Sequence, residues 1–155
     1  MRRGISLDHL LGCREPYHVT TDRRSSIAGH GLREINIDGS LLRDLEGLCA
    51  VLSRVIGYRI PPNEDALNDV MRDPCWVSGS EDPKPTVIVI ENAHALQKSG
   101  YGARDFMSHG GAWAAAWAAG NEYCGPTPLH FIHIVGRDHK QRSRLPQLSI
   151  KEVAN

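Results

Sequence analysis

Eight histidines and eighteen acidic residues are the side chains of this 155-residue sequence that could do chemistry. His130 and His133 are three positions apart in a run that predicts a strand. Residues at that spacing on a strand face opposite sides, so the pair cannot bind one metal ion. The four cysteines form no Cys-x-x-Cys pair, which favours reduced thiols. We therefore expect no metal and no cofactor.

The sequence offers no recognisable catalytic motif. No glycine-rich phosphate loop follows the apolar runs that end at Ile37 and Ile90, and there is no Gly-x-Ser-x-Gly elbow. His94 and His109 have no neighbouring acid or cysteine at metal-ligand spacing. We therefore predict that the protein is not an enzyme. A small α/β enzyme that uses His94, His109 or Glu91 near the carboxyl ends of strands remains the alternative.

A short acidic helix is the feature that favours a function. Asp65 and Asp69 are four residues apart, so both project from one face, and Asp73 lies near the end of the same helix. Like charges at this spacing destabilise an isolated helix, and Arg72 alone offers local compensation. Two interpretations are open. The acids form either a solvated helix face or an anionic stripe that binds a cationic protein surface.

The charge distribution agrees with a cationic partner. Residues 34–96 contain eleven acids and five bases, a net charge of −6, whereas the blocks on either side each carry +3. The acidic block would repel nucleic acid, so direct nucleic acid binding is not expected. No apolar run approaches the roughly 20 residues of a membrane span, and no signal peptide is recognisable. These features predict a cytoplasmic protein without membrane association.

Three segments predict buried strands. Glu34–Asp38 alternates between polar and apolar residues, and Thr86–Ile90 is a β-branched run typical of a strand buried on both faces of a parallel sheet. Leu129–Val135 predicts the third strand. Helical patterns separate the three, and this order favours a small three-stranded parallel α/β sheet packed by helices.

The helices are predicted from their periodicity and caps. Leucines at steps of three and four predict a helix that Ser40 caps and Gly57 ends. Asn63 is expected to cap the short acidic helix, which the next proline stops. One or two helices are predicted within 93–119, with an interruption near Ser99-Gly100, a second candidate interruption at Gly110-Gly111, and an end marked by Gly120.

The pattern divides the chain into three parts. Residues 34–136 form the predicted domain, because they contain all of the periodic apolar segments. Residues 1–33 lack a sustained period and predict a weakly ordered N-terminal extension. Residues 137–155 predict a polar C-terminal tail.

The acidic helix also resembles a known family. Its sequence, Asn-Glu-Asp-Ala-Leu-Asn-Asp over residues 63–69, is similar to the signature helix of the barstar family, the intracellular inhibitors of barnase-type ribonucleases. Further matching segments are the strand and turn at 35–39, the helix at 45–56, and the strands at 86–90 and 129–135. The resemblance covers about residues 34–136 and implies a barstar-like fold.

The resemblance implies an inhibitor, or immunity protein, whose acidic helix enters the active site of a basic ribonuclease in place of substrate phosphates. The implied partner is an extracellular-type, barnase-like ribonuclease or a toxin nuclease. Asp65 and Asp69 match the two acids that contact the Arg, Lys and His groups of the enzyme. The full set of implied partner-binding residues is Asp65, Asp69, Asn63, Glu64, Asn68, Asp73, Trp76 and Tyr58.

The sequence departs from the family pattern at several positions. Asn68 stands where the family often has Trp, and Pro61-Pro62 replace the Gly that precedes the signature Asn. Trp76 and Tyr58 match interface aromatics only approximately in register. A barstar-like domain that binds another basic protein or a toxin is therefore the alternative within the family.

Overall fold

The centre of the molecule is a parallel sheet. The computed structural model describes residues 5–6, 18–21, 33–78, 84–96, 102–122, 124–135 and 148–149. The strands of the sheet, in spatial order, are β2 (His18–Thr21), β5 (Leu129–Ile134), β4 (Thr86–Glu91) and β3 (Arg33–Asp38). Two short strands, β1 (Ile5–Ser6) and β6 (Leu148–Ser149), form a separate parallel pair. The predicted α/β class is confirmed, and β3, β4 and β5 are the three predicted strands.

The interior strands are buried as their composition predicts. The first five residues of β4 and of β5 are all buried, because each strand has a neighbour on both sides and little polar surface. Strand β3 lies at the edge and alternates, with Ile35 and Ile37 buried and Asn36 exposed. Ile35 and Ile37 therefore lie on the face of the sheet that the helices cover.

The helices pack on that face around one apolar core. Their bounds are α1 (Leu45–Ile56), α2 (Glu64–Met71), α3 (Pro74–Ser78), α4 (Ala93–Leu96) and α5 (Gly102–Ala119). The largest fully buried side chains of the core are Trp113, Trp117, Phe106, Phe131 and Leu42. Burial of an aromatic or leucine side chain contributes about 1.5–3 kcal/mol. The core therefore holds α2 and α5 against the sheet.

The start of the first helix differs from the prediction. Asp44 caps α1, and its Oδ1 accepts a hydrogen bond from the Gly47 N–H at 2.7 Å. Ser40 lies instead in a 3₁₀ turn, Gly39–Leu41, where its hydroxyl and N–H both donate to Asp38 Oδ1. These two bonds lower the pKa of Asp38. Ser40 does not cap α1 as predicted, because its hydroxyl and N–H are bonded to Asp38 in the preceding turn.

Helix ends follow the glycines, but a pair of glycines does not interrupt α5. Gly57 and Gly120 have positive φ values, 77° and 72°, and follow α1 and α5 as predicted. Helix α5 continues through Gly110-Gly111. A Cβ on Gly110 would lie 3.0 Å from the Phe131 ring, so this glycine lets the helix approach the sheet closely. The second predicted interruption is therefore wrong, and the one near Ser99-Gly100 lies outside the described residues.

One strand of the sheet lies outside the predicted domain. Strand β2 belongs to the segment 1–33 and pairs with β5 in parallel, His18 opposite Phe131 and Thr21 opposite Ile134. His18 and Thr21 are both buried. A boundary at residue 34 therefore leaves out an edge strand of the sheet.

Among the described residues, no helix has both the length and the apolar character that a membrane crossing needs.

Candidate partner-binding surface

The acidic helix α2 begins at a strong cap. The Asn63 backbone is extended, and its side-chain Oδ1 accepts a hydrogen bond from the Ala66 N–H at 2.8 Å. Leu67, Val70 and Met71 are buried and turn one side of the helix into the core. The predicted cap is confirmed, and the carboxylates are left on the remaining sides of a fixed helix.

The outer side of α2 carries the two acids that the sequence singles out. Asp65 and Asp69 are both exposed. Arg72 Nη2 lies 2.7 Å from Asp69 Oδ1, and both side chains are more than half exposed. Such a surface pair contributes about 0–1 kcal/mol. Within the parts of the chain that the structure describes, no cation is paired with Asp65. The outer side is therefore anionic and lightly compensated.

The inner side of α2 is fastened to α5 by two polar contacts. Glu64 and Asn68 are four residues apart and face α5, one residue before each outer acid. His109 Nε2 lies 2.7 Å from Glu64 Oε1, and the Trp113 indole N–H donates to Asn68 Oδ1 at 2.8 Å. The His109 and Trp113 rings stack. Glu64 and Asn68, both predicted to bind a partner, thus also hold α2 in place.

Asn68 has a structural role in this fold. The Trp113 side chain from α5 is 1% exposed, and its only ring donor needs an acceptor. An Asn at position 68 supplies that acceptor, whereas a Trp there has none. Asn68 on α2 and Trp113 on α5 are therefore joined by a hydrogen bond that the buried indole N–H needs.

We expect Asn68→Ala to lower the free energy of unfolding by about 1–3 kcal/mol, because the buried Trp113 donor would be left without an acceptor. Urea unfolding followed by far-UV circular dichroism measures the loss. Asn68→Asp, which keeps an acceptor oxygen, is the matched control and should lose less. Equal stability of the Ala variant and the parent would show that the bond contributes nothing.

The residues after α2 begin the next helix, α3. Asp73 Oδ1 accepts hydrogen bonds from the Cys75 and Trp76 N–H groups at 3.0 and 3.3 Å, and so caps α3. Trp76 is 46% exposed and meets Tyr58, 44% exposed, edge to face with ring centroids 4.9 Å apart. The two predicted interface aromatics therefore lie together on the surface, and Asp73 has a capping role.

A disulfide ties this region to the other end of α5. Cys75 in α3 is bonded to Cys124, which lies in the loop before β5. The expectation of reduced thiols is wrong for this pair. The two sulfurs and an Asp73 carboxylate oxygen lie within 4.8 Å of one another. Cys49 is a buried free thiol whose pKa is raised by desolvation. Nothing in the spacing of the cysteines predicts the bond, because the fold brings the two positions together.

The residues named in the enzyme alternative lie on three different elements. His109 is bonded to Glu64 on α2, while Glu91 ends β4 and His94 lies on the short α4. His130 and His133 are buried on β5 and face opposite sides of the sheet.

Two buried histidines, one on β2 and one on β5, form a pair that no sequence pattern predicts. His18 Nδ1 and His133 Nε2 lie 2.8 Å apart, and the His18 ring stacks on Phe131 with centroids 4.6 Å apart. Desolvation lowers the pKa of His18 to about 4 and that of His133 to about 3. One ring donates and the other accepts in this contact, and burial disfavours a positive charge on either ring. No local pattern around His18 predicts a partner so far along the chain.

The comparisons with known proteins leave the family open. No protein-family model matches the chain, and no curated protein matches it. A solved structure of the Aeropyrum pernix ORC2 protein, in ADPNP and ADP complexes, resembles the fold with a TM-score of 0.49 and 12% identity. The match covers 76% of this chain but 29% of the ORC2 chain. A likeness at that level carries no functional argument.

Proposed function

We propose that this protein is a barstar-like inhibitor that binds a basic ribonuclease and blocks its active site with helix α2. The observation that carries the proposal is the pair Asp65 and Asp69, exposed on the outer side of a helix whose other sides are fixed. The core, the Asn63 cap and the α5 contacts hold the helix, so little order remains to be gained on binding.

The charges on the surface suit a cationic active site. A ribonuclease binds the phosphates of RNA with Arg, Lys and His groups, and two carboxylates one helical turn apart can occupy that place. Asp69 would exchange its exposed pair with Arg72 for a partner cation, and the loss is small because that pair is screened by water. Asp65 is available without such an exchange.

The exposed aromatic pair supports the same surface. Trp76 and Tyr58 each leave close to half of their side chain in solvent and contact each other. Trp and Tyr are enriched at the energetic centres of protein interfaces because they bury a large area with few rotatable bonds. In the proposed complex the aromatic pair packs beside the anionic helix and excludes water from the charge pairs.

The implied setting is a cytoplasmic protein that neutralises a nuclease before the enzyme is exported. The protein would bind neither RNA nor membranes itself. The alternative partner is another basic protein or a toxin nuclease of different fold, which the same acidic helix would bind.

Titration against a panel of basic, barnase-like ribonucleases tests the proposal. We expect stoichiometric suppression of RNA cleavage and fast association at low salt. The association rate should fall at least about tenfold between about 10 mM and about 1 M salt, as the Debye length shortens from about 30 Å to about 3 Å. Absence of inhibition at micromolar protein would reject the ribonuclease assignment, and capture of another basic protein by the same helix would then favour the alternative.

A further inference from the structure

We propose that the Cys75–Cys124 bond is a reversible redox tether that holds α3, and with it Trp76, in the arrangement that binds the partner. This inference rests on the proposed function. The bond joins residues 49 positions apart, and their Cα atoms are 6.3 Å apart, within the range that disulfides span. It connects the segment that follows the acidic helix to the loop that precedes β5.

The tether matters because α3 is short. A helix of five residues is not stable by itself and depends on its cap and on tertiary contacts. The Asp73 cap and the buried Val77 side chain are two of these contacts, and the disulfide is the covalent one. Cys75 directly precedes Trp76. Opening the bond therefore removes a covalent constraint next to Trp76. We expect the position of the Trp76 ring relative to Tyr58 to become less fixed.

The surroundings of the two sulfurs favour exchange at one of them. Cys75 is partly exposed, whereas Cys124 is 2% exposed. Of the two residues, Cys75 is therefore the one that an external thiolate would approach. In a cytoplasmic protein, disulfides are usually transient and redox-sensing, because glutathione keeps thiols reduced. The buried Cys49 is poorly suited to compete, since desolvation disfavours its thiolate.

The exchange is balanced with glutathione as the named reductant. A glutathione thiolate attacks the Cys75 sulfur, a mixed disulfide forms, and the Cys124 thiolate leaves and takes up a proton. A second glutathione thiolate attacks the glutathione sulfur and releases the Cys75 thiolate, which is also protonated. The products are two protein thiols and one oxidised glutathione, a two-electron reduction. Oxidised glutathione closes the bond by the reverse steps.

Thiol counts in glutathione buffers test the tether without any partner. The chain has four cysteines, so the closed protein should show two free thiols after unfolding and the open protein four. We expect the change within the range of glutathione ratios found in cells, and a Tm roughly 5–15 °C higher in the closed form. A count that stays at four or at two across these ratios would overturn the proposal, as would retention of zinc by the reduced protein through dialysis.

Binding of the partner ribonuclease tests the function of the tether. Reduction of the full chain should weaken binding about tenfold, chiefly through faster dissociation, because the open form must order α3 on binding. A Cys75→Ser/Cys124→Ser variant should bind like the reduced protein at any ratio, and Cys49→Ser should respond like the parent. Equal affinity in both states would overturn the regulatory role. If no ribonuclease binds either state, the proposed function fails, whereas the thiol counts still decide the tether.

Discussion

The free energy of unfolding is expected to fall by roughly 3 kcal/mol or more as the pH drops from 7 toward 4, because His18 and His133 are buried as neutral rings. In the unfolded chain both take up protons near pH 6.5. In the fold their pKa values are about 4 and about 3, so the unfolded state binds more protons throughout this window. The pair therefore leaves the free energy of unfolding unchanged above about pH 6.5 and lowers it progressively as the pH falls toward 4.

Several groups surround the pair. A positive charge on His130 would disfavour one on His18, while the Met107 backbone acts in the opposite direction on the pKa of His18. Phe106 and Phe131 enclose the rings with apolar surface. Desolvation remains the largest cause for both histidines.

Urea unfolding at pH 7.0, 6.0 and 5.0 measures the effect, because most carboxylates are still ionised over that range. His133→Gln removes one ring of the buried pair and should make the profile less steep. A flat profile between pH 7 and 5 would show that the buried rings take up protons as they do in water.

The second large effect is expected at the outer acids. Asp65→Asn/Asp69→Asn should weaken ribonuclease binding by about 2–5 kcal/mol for each carboxylate that meets a buried cation, because the partner charges would be left desolvated and unpaired. The Asp69→Asn change alone should alter the stability of the free protein by less than about 1 kcal/mol, since it removes only an exposed pair with Arg72. Asp65 lies in the first turn and also interacts favourably with the helix dipole.

Paired measurements of inhibition constant and Tm on Asp69→Asn decide between the two interpretations of the acidic stripe. Glu46→Gln on α1, another exposed acid in a first helical turn, is the charge-matched control and should change binding little. A loss of stability above about 1 kcal/mol with unchanged inhibition would make the stripe a structural ion pair. If Glu46→Gln weakens binding as much as Asp69→Asn does, Asp69 acts only through long-range attraction of the partner and not through a direct contact.

The parts of the fold that could be predicted are those fixed by local sequence. The run at β4 is apolar because two strands flank it, Asn63 caps α2 because its side chain reaches a backbone N–H three residues later, and Gly57 has the left-handed backbone that ends α1. Each depends on neighbours within a few positions. The outward placement of Asp65 and Asp69 follows from the same helical spacing.

The parts that could not be predicted depend on distant residues. Strand β2 is four residues long, and its pairing depends on β5 rather than on its own pattern. The Cys75–Cys124 bond and the Trp113–Asn68 contact likewise join positions that only the folded chain brings together. Ser40 does not cap α1, because capping residues lie on either side of it. Asp38 caps the 3₁₀ turn and Asp44 caps α1.

The place of β2 in the sheet has a consequence for how the chain is made. His18 and His133 are separated by 115 positions, so β2 leaves the ribosome long before β5, the strand with which it pairs. Until β5 emerges, β3 and β4 can pair but β2 has no strand to join. Closing so long a loop is slow, and the waiting strand has unpaired backbone groups in the meantime. Completion of the sheet must therefore await β5, and a nascent chain stalled before residue 129 would hold an incomplete edge within reach of chaperones and proteases.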